Sequence, residues 1–173
     1  MTNLRLAPLA GTADDVRVVQ HILNQAPDYA LRVTGQAPGP DDAAEMFLAL
    51  PPGVDRAAKY VYGLFVEDEP VGVLDVIRGW PDPATAHIGL LLLEEARTGQ
   101  GLGRAAYQGV EDLVRQWNEV HCVRAAVVAT NDVVLPFWRS VGLTPTGETK
   151  PYQRGSITSY AIILTKALYP VTP

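Results

Sequence analysis

Cysteine, histidine and clustered positive charge are the scarce things in this sequence. Its one cysteine, Cys122, rules out an intrachain disulfide and leaves no second thiol for a metal. Set among apolar residues in a predicted strand, it reads as a buried structural thiol rather than a nucleophile. His21, His87 and His121 are far apart and show no H-x-x-x-H spacing, so no metal is expected. Lys and Arg never stand side by side and the formal net charge is −5, which gives a phosphate backbone nothing to bind; no nucleic-acid partner is expected. No apolar run reaches the roughly 18 residues of a membrane span. Met1 to Ala10 has no basic stretch leading into an apolar one, as a signal peptide requires. The expectation is a cytoplasmic protein with no membrane partner.

What is present suits one domain. The 173 residues are 47% hydrophobic and 19% charged, with no repeat, long linker or low-complexity tract, so residues 1–173 are read as a single unit. Leu4 to Leu9 alternates well enough for a strand, and Thr12 caps an amphipathic helix from Ala13 to about Asn24. A loop with Pro27, Gly35 and the cluster from Pro38 to Pro40 follows. Asp41 and Asp42 then open a second helix that stops before Pro51. Tyr60 to Val66 and Val71 to Ile77 form an antiparallel hairpin, and Trp80 to Pro83 a turn. Thr85 to Leu93 is a strand whose four terminal leucines suggest burial on both faces. A helix from Arg104 to about Trp117, a strand from Val123 to Val128, a short helix from Val133 to Val141 and a last strand from Ile157 to Thr165 complete the order. The fold class is α/β (α+β): a mixed, mostly antiparallel central sheet flanked by about four helices.

The chemical signal is the passage from the leucine strand through Thr98, Gly99, Gln100, Gly101, Leu102 and Gly103 onto a helix at Arg104. Closely spaced glycines let backbone N–H groups approach an anion, and a helix N-terminus adds its positive dipole end. A tight turn alone would also use glycines. No Gly-Lys-Ser/Thr follows, which excludes a Walker loop. Gly101, Gly103 and Ala106 fit G-x-G-x-x-A, with Asp132 downstream as a ribose ligand. Against a dinucleotide site, the strand ends well before Gly101 and too little chain remains after Asp132 for a second mononucleotide half.

These residues resemble the GNAT superfamily of N-acetyltransferases, whose acetyl-CoA motif reads Gln/Arg-x-x-Gly-x-Gly/Ala. Gly101 and Gly103 are the matching glycines, Thr98 falls on the first position, and Arg97 stands one place earlier. A second motif is matched by Asn131, Phe137, Trp138, Gly142 and Leu143. The resemblance implies an acetyl-CoA-dependent N-acetyltransferase, an acyltransferase that acts on a small-molecule primary amine by direct attack in a ternary complex. It implies that the amides of Leu91, Leu92 and Leu93 pair with the pantetheine arm and that those from Gln100 to Arg104 hold the pyrophosphate of coenzyme A. Asn131, Phe137 and Trp138 complete that cofactor set.

A neutral amine nucleophile needs a base or a water relay, since a lysine-like amine has a pKa of roughly 10.4. His87 is the first candidate, six residues before Leu93 and on its face by period two; Glu94, Asp75 and Asp82 are weaker ones. Some relatives carry a glutamate at the position of His87. Many protonate the leaving thiolate from a tyrosine where this chain has Trp138, so Tyr107, Tyr152 or water takes that part. Tyr29, Arg32, Trp80, Asp82 and Tyr152 are expected to line the amine pocket. The Thr98 and Trp138 departures motivate a second reading, a catalytically impaired acyl-CoA-binding or interaction module of the same fold. Exposed edge strands in such a sheet are compatible with a homodimer.

Overall fold

A computed structural model describes residues 3–169. One seven-stranded sheet, ordered β1-β2-β3-β4-β5-β7-β6, runs through the molecule. β1 (Leu4–Leu9), β2 (Lys59–Val66), β3 (Glu69–Arg78) and β4 (Thr85–Leu93) form antiparallel neighbours, as do β5 (Cys122–Val128), β7 (Ile157–Ala167) and β6 (Thr144–Arg154). Only β4 and β5 are parallel, joined by the crossover helix α4 (Leu102–Val114). α1 (Ala13–Asn24), α2 (Pro27–Thr34) and α3 (Asp42–Leu48) precede β2, and the short α5 (Leu135–Ser140) lies between β5 and β6. No described helix is long and apolar enough to cross a membrane.

Each face of the sheet buries its own core. One gathers Leu74, Val76, Ala86, Ile88, Val110 and Leu164 under α4; the other gathers Val61 and Val73 with Val19, Ile22 and Phe47 of α1 and α3. α1 starts on a capping box: the Thr12 hydroxyl accepts from the Asp15 amide at 3.2 Å while the Asp15 carboxylate accepts from the Thr12 amide at 3.2 Å.

Two elements exceed the sequence expectation. The stretch read as a loop around Pro27 contains α2, with proline in its first turn and Gly35 closing it at φ 75. β6 is an edge strand, nearly all exposed and holding Pro145 and Pro151, so no apolar alternation betrays it. The sheet therefore has seven strands rather than six, and five α-helices stand against it.

β4 carries the two irregularities that build the site. Its register with β3 slips between Asp75 and Val76, so Gly89 is an extra, bulged residue. A Cβ there would lie 3.0 Å from Asp75 Oδ2, a close approach that suits glycine. β4 also pairs with β5 only from Thr85 to Ile88 and then diverges from it. The terminal leucines are accordingly half-buried, not enclosed on both faces, because the β5 side of that strand opens onto a cavity.

Candidate active site

The cavity, about 490 Å³, fills the angle between β4 and β5. Ile88 to Leu93 form one wall and Ala125 to Val128 the other. Beyond Ile88 and Ala125 the facing edges of these strands have no strand partner, so backbone N–H and C=O groups are left to bond whatever enters. That edge is a template for an extended, amide-bearing ligand.

At one end Thr98, Gly99, Gly101, Gly103 and Arg104 line the cavity. Gly99 and Gly101 hold φ of 75° and 80°, a region that strains other residues. Nothing lies within 4 Å of a Cβ placed on either, so the space beside them is open. Gly101 is the N-cap of α4, and the first-turn amides that follow it lack intrahelical acceptors. Leu102, 1% exposed, anchors this turn in the core, so its side chain stays out of the cavity, as does that of Gln100. Gly103 must be small as well: its Cβ would come 3.1 Å from Phe137 Cε2. Thr98 spends its hydroxyl on Glu95 O at 2.9 Å.

Asn131, Phe137 and Trp138 line the cavity from the far side, and Tyr29 and Arg32 reach it from α2. Arg32 Nε donates to Asn131 Oδ1 at 2.7 Å, tying α2 to the segment after β5. Burial pushes the Tyr29 phenol up to about 12, against the pull of Arg154 and Arg32, so it is a proton-bearing donor at neutral pH.

The remaining expected residues lie elsewhere. The bulge at Gly89 breaks period two: Ala86 and Ile88 join the same core as Leu91 and Leu93, so His87 points to the opposite face and is not part of the cavity lining. There its Nδ1 lies 2.9 Å from an Arg124 guanidinium nitrogen and its ring meets Trp80 edge-on at 4.9 Å. Arginine can only donate, so Nδ1 accepts and carries no proton. Burial, and then the Arg124 charge, lower its pKa to about 3, which makes it a poor base. Trp80 stacks against Arg124 at 4.9 Å in the same cluster rather than in the cavity. Asp82 caps the turn before β4, accepting from the Ala84 amide at 2.9 Å and the Thr85 hydroxyl at 3.0 Å. Glu94 pairs with His21 at 3.2 Å. Tyr152 donates to Val33 O at 2.7 Å, behind α2. Tyr107 is buried over Trp138 and beside Glu111, also outside the lining.

A consequence for stability can be measured. A histidine whose folded pKa lies far below the unfolded 6.5 leaves the unfolded chain binding more protons between pH 6.5 and 3. Its contribution is therefore complete above pH 6.5 and lost as pH falls through that window. Between pH 7 and pH 5 His87 is expected to remove about 2 kcal/mol of stability. Urea unfolding at both pH values should show a drop that shrinks by that amount in His87→Gln; an unchanged pH dependence would show His87 protonated in the fold.

The sequence missed the residues that no motif marks. Glu95 is the cavity's sole carboxylate among the described residues, and it accepts from the Asp28 amide at 2.7 Å. Ser140 and the wall from Ala125 to Val128 were also unforeseen, because divergence between two strands leaves no trace in either strand's own pattern.

Comparison with known proteins agrees with this fold. The pattern described as Acetyltransferase (GNAT) family matches residues 22–143. An acetyltransferase from Thermus thermophilus is 25% identical, with a TM-score of 0.72 over 97% of this chain and 100% of that one. An aminoglycoside acetyltransferase solved in complex with coenzyme A is 18% identical, with a TM-score of 0.72 over 95% of each chain. The ribosomal-protein-S18-alanine N-acetyltransferase from Escherichia coli is 14% identical, with a TM-score of 0.69 over 98% of this chain and 97% of that one. No curated protein matches the sequence.

Proposed function

The chain belongs to the acetyltransferase (GNAT) family, and on that footing we propose that it moves an acetyl group from acetyl-CoA to the nitrogen of a small-molecule primary amine, by direct attack within a ternary complex. The observation that carries this reading is the divergence of β4 from β5 directly above the open glycine turn. The residues present fit coenzyme A: unpaired strand edges suit its amide-rich arm, and the amides after Gly101 suit its pyrophosphate. When bound, acetyl-CoA supplies an activated thioester carbonyl.

The chain's own groups do the rest. Backbone N–H groups along Leu91 to Leu93 are fixed by pairing with β3 on the other edge, so donors there stabilise a developing oxyanion with no reorganisation. Leu90, Leu92 and Val127 keep the walls apolar. The amine's proton passes to water, because His87 is outside the cavity and Glu95 is held by the Asp28 amide. Neither Tyr107 nor Tyr152 lines the cavity to protonate the leaving sulfur as the C–N bond forms and the C–S bond breaks, and a thiol with a pKa of about 8.5 would leave that proton to water. Trp138 packs the site and donates no acid proton.

The experiment is calorimetric titration with acetyl-CoA and, separately, with NAD, followed by thiol release in the presence of an amine panel. Micromolar binding of acetyl-CoA alone, with thiol released by a primary amine, is the expected result. Absence of acetyl-CoA binding, or binding of NAD in its place, would overturn the reading. The second reading, a silent acyl-CoA-binding module, is favoured by one observation: neither Tyr107 nor Tyr152 presents its hydroxyl to the cavity. Tight acetyl-CoA binding with no thiol release from any amine would support it.

A further inference from the structure

We propose that the acceptor is an amine that also bears a carboxylate, which Arg32 takes up at the α2 corner of the cavity. The proposal rests on the acetyl-CoA reading above and narrows its substrate to amino acids.

The corner is assembled by docking the β6–β7 turn onto the end of α2. Tyr152 donates to Val33 O at 2.7 Å, and the Ser156 amide donates to Thr34 O at 2.9 Å. Gly155, at φ 56, lies so near that a Cβ would fall 2.3 Å from Thr34 O. This contact brings Arg154, the exposed last residue of β6, near enough for its charge to be felt at the Tyr29 phenol, although it is not part of the cavity lining.

Arg32 itself is aimed and held. Its Nε donates to Asn131 Oδ1, and its backbone carbonyl accepts from Thr130 Oγ1 at 2.6 Å. Among the described residues its two terminal nitrogens make no hydrogen bond, so the forked end of the guanidinium remains for a ligand. Arg32 belongs to no ion pair among the described residues, and its cavity position leaves that charge to a ligand. The cavity's own carboxylate, Glu95, is committed to the start of α2. Tyr29 adds a hydroxyl donor to the same corner. A planar guanidinium with two parallel N–H bonds is matched by a carboxylate, which it binds bidentately.

The test measures thiol release from acetyl-CoA with each proteinogenic L-amino acid, with the amine formed by its decarboxylation, and with a short peptide of the same N-terminal residue. At least one amino acid should exceed both its decarboxylated partner and its peptide in kcat/KM by roughly tenfold to a hundredfold, the range of one charged hydrogen-bonded contact. In Arg32→Gln that preference should collapse, chiefly through KM. Acetyl-CoA affinity, measured by calorimetry in the same variants, separates the two readings. If Arg32→Gln weakens acetyl-CoA binding as much as it weakens the amino acid, the guanidinium serves a cofactor phosphate and the proposal fails. It fails as well if amines or peptides are preferred, or if no amino acid is acetylated while acetyl-CoA binds. Loss of acetyl-CoA binding in the unaltered protein would instead overturn the parent reading.

Discussion

Gly101→Glu is expected to lower acetyl-CoA affinity by at least about a hundredfold, the equivalent of losing one or two charged hydrogen bonds. Gly101 sits at φ 80 as the N-cap of α4, and the space beside it opens onto the cavity. A glutamate there adds a carboxylate to the place proposed for the pyrophosphate, at the N-terminus of α4. Strain from a side chain in the left-handed region costs about 1–2 kcal/mol of stability as well. Gly53→Glu is the control. Gly53 has φ 77 and likewise nothing within 4 Å of a Cβ, but it is remote from the cavity, so it should show the strain without the loss of affinity. Calorimetry on both variants decides the matter: equal loss in the two, or no loss in Gly101→Glu, would remove the glycine turn from cofactor binding.

Lys59→Met is expected to cost about 3–5 kcal/mol of stability at neutral pH, the usual consequence of stripping one partner from a buried ion pair. Lys59 Nζ bonds Asp75 Oδ2 at 2.9 Å and Ala49 O at 2.8 Å, with both side chains almost wholly buried. Asp75 Oδ1 has no partner at all. Burial raises the Asp75 carboxyl above its usual range, although Lys59 pulls it down. An acid with a raised folded pKa binds more protons folded than unfolded, so its ionisation reduces stability as pH rises above about 4. Removing Lys59 raises that pKa further, and the penalty should therefore shrink toward acid pH, where Asp75 is protonated. Denaturant unfolding across pH 4.5 to 8 reads this, with Lys59→Met/Asp75→Asn expected to recover most of the loss. A penalty independent of pH would mean that packing, not charge, sets the cost. The pair matters to the site because Asp75 abuts the bulge at Gly89.

Legibility in the sequence followed the physics of each element. β1, α1, β2, β3 and β4 announce themselves through alternation, a threonine cap and the four-residue break from Glu67 to Pro70, and their bounds fall within about two residues of the expectation. The glycine turn is equally plain, because left-handed φ and close approach both demand glycine. α2 was hidden because Pro27 and Gly35 read as breakers; at eight residues apart they are instead a first-turn proline and a closing glycine, which is how a short helix is punctuated. β6 was hidden because an exposed edge strand needs no apolar face. The bulge at Gly89 was the costliest omission. One extra residue reverses the facing of everything before it, and that placed His87 on the wrong side of the sheet. Divergence of β4 from β5 is a relation between strands and cannot be read along either one.

Docking of the β6–β7 turn on α2 ties a segment inside the family match to one outside it. The proposed donor passage, from the bulge in β4 to the end of α5, lies wholly within the matched residues 22–143. Of the proposed acceptor corner, α2 lies within that match as well, and only the hairpin begins just past it. On the proposed reading, a change confined to that hairpin reshapes the acceptor corner from outside the matched residues and leaves the donor passage as it stands.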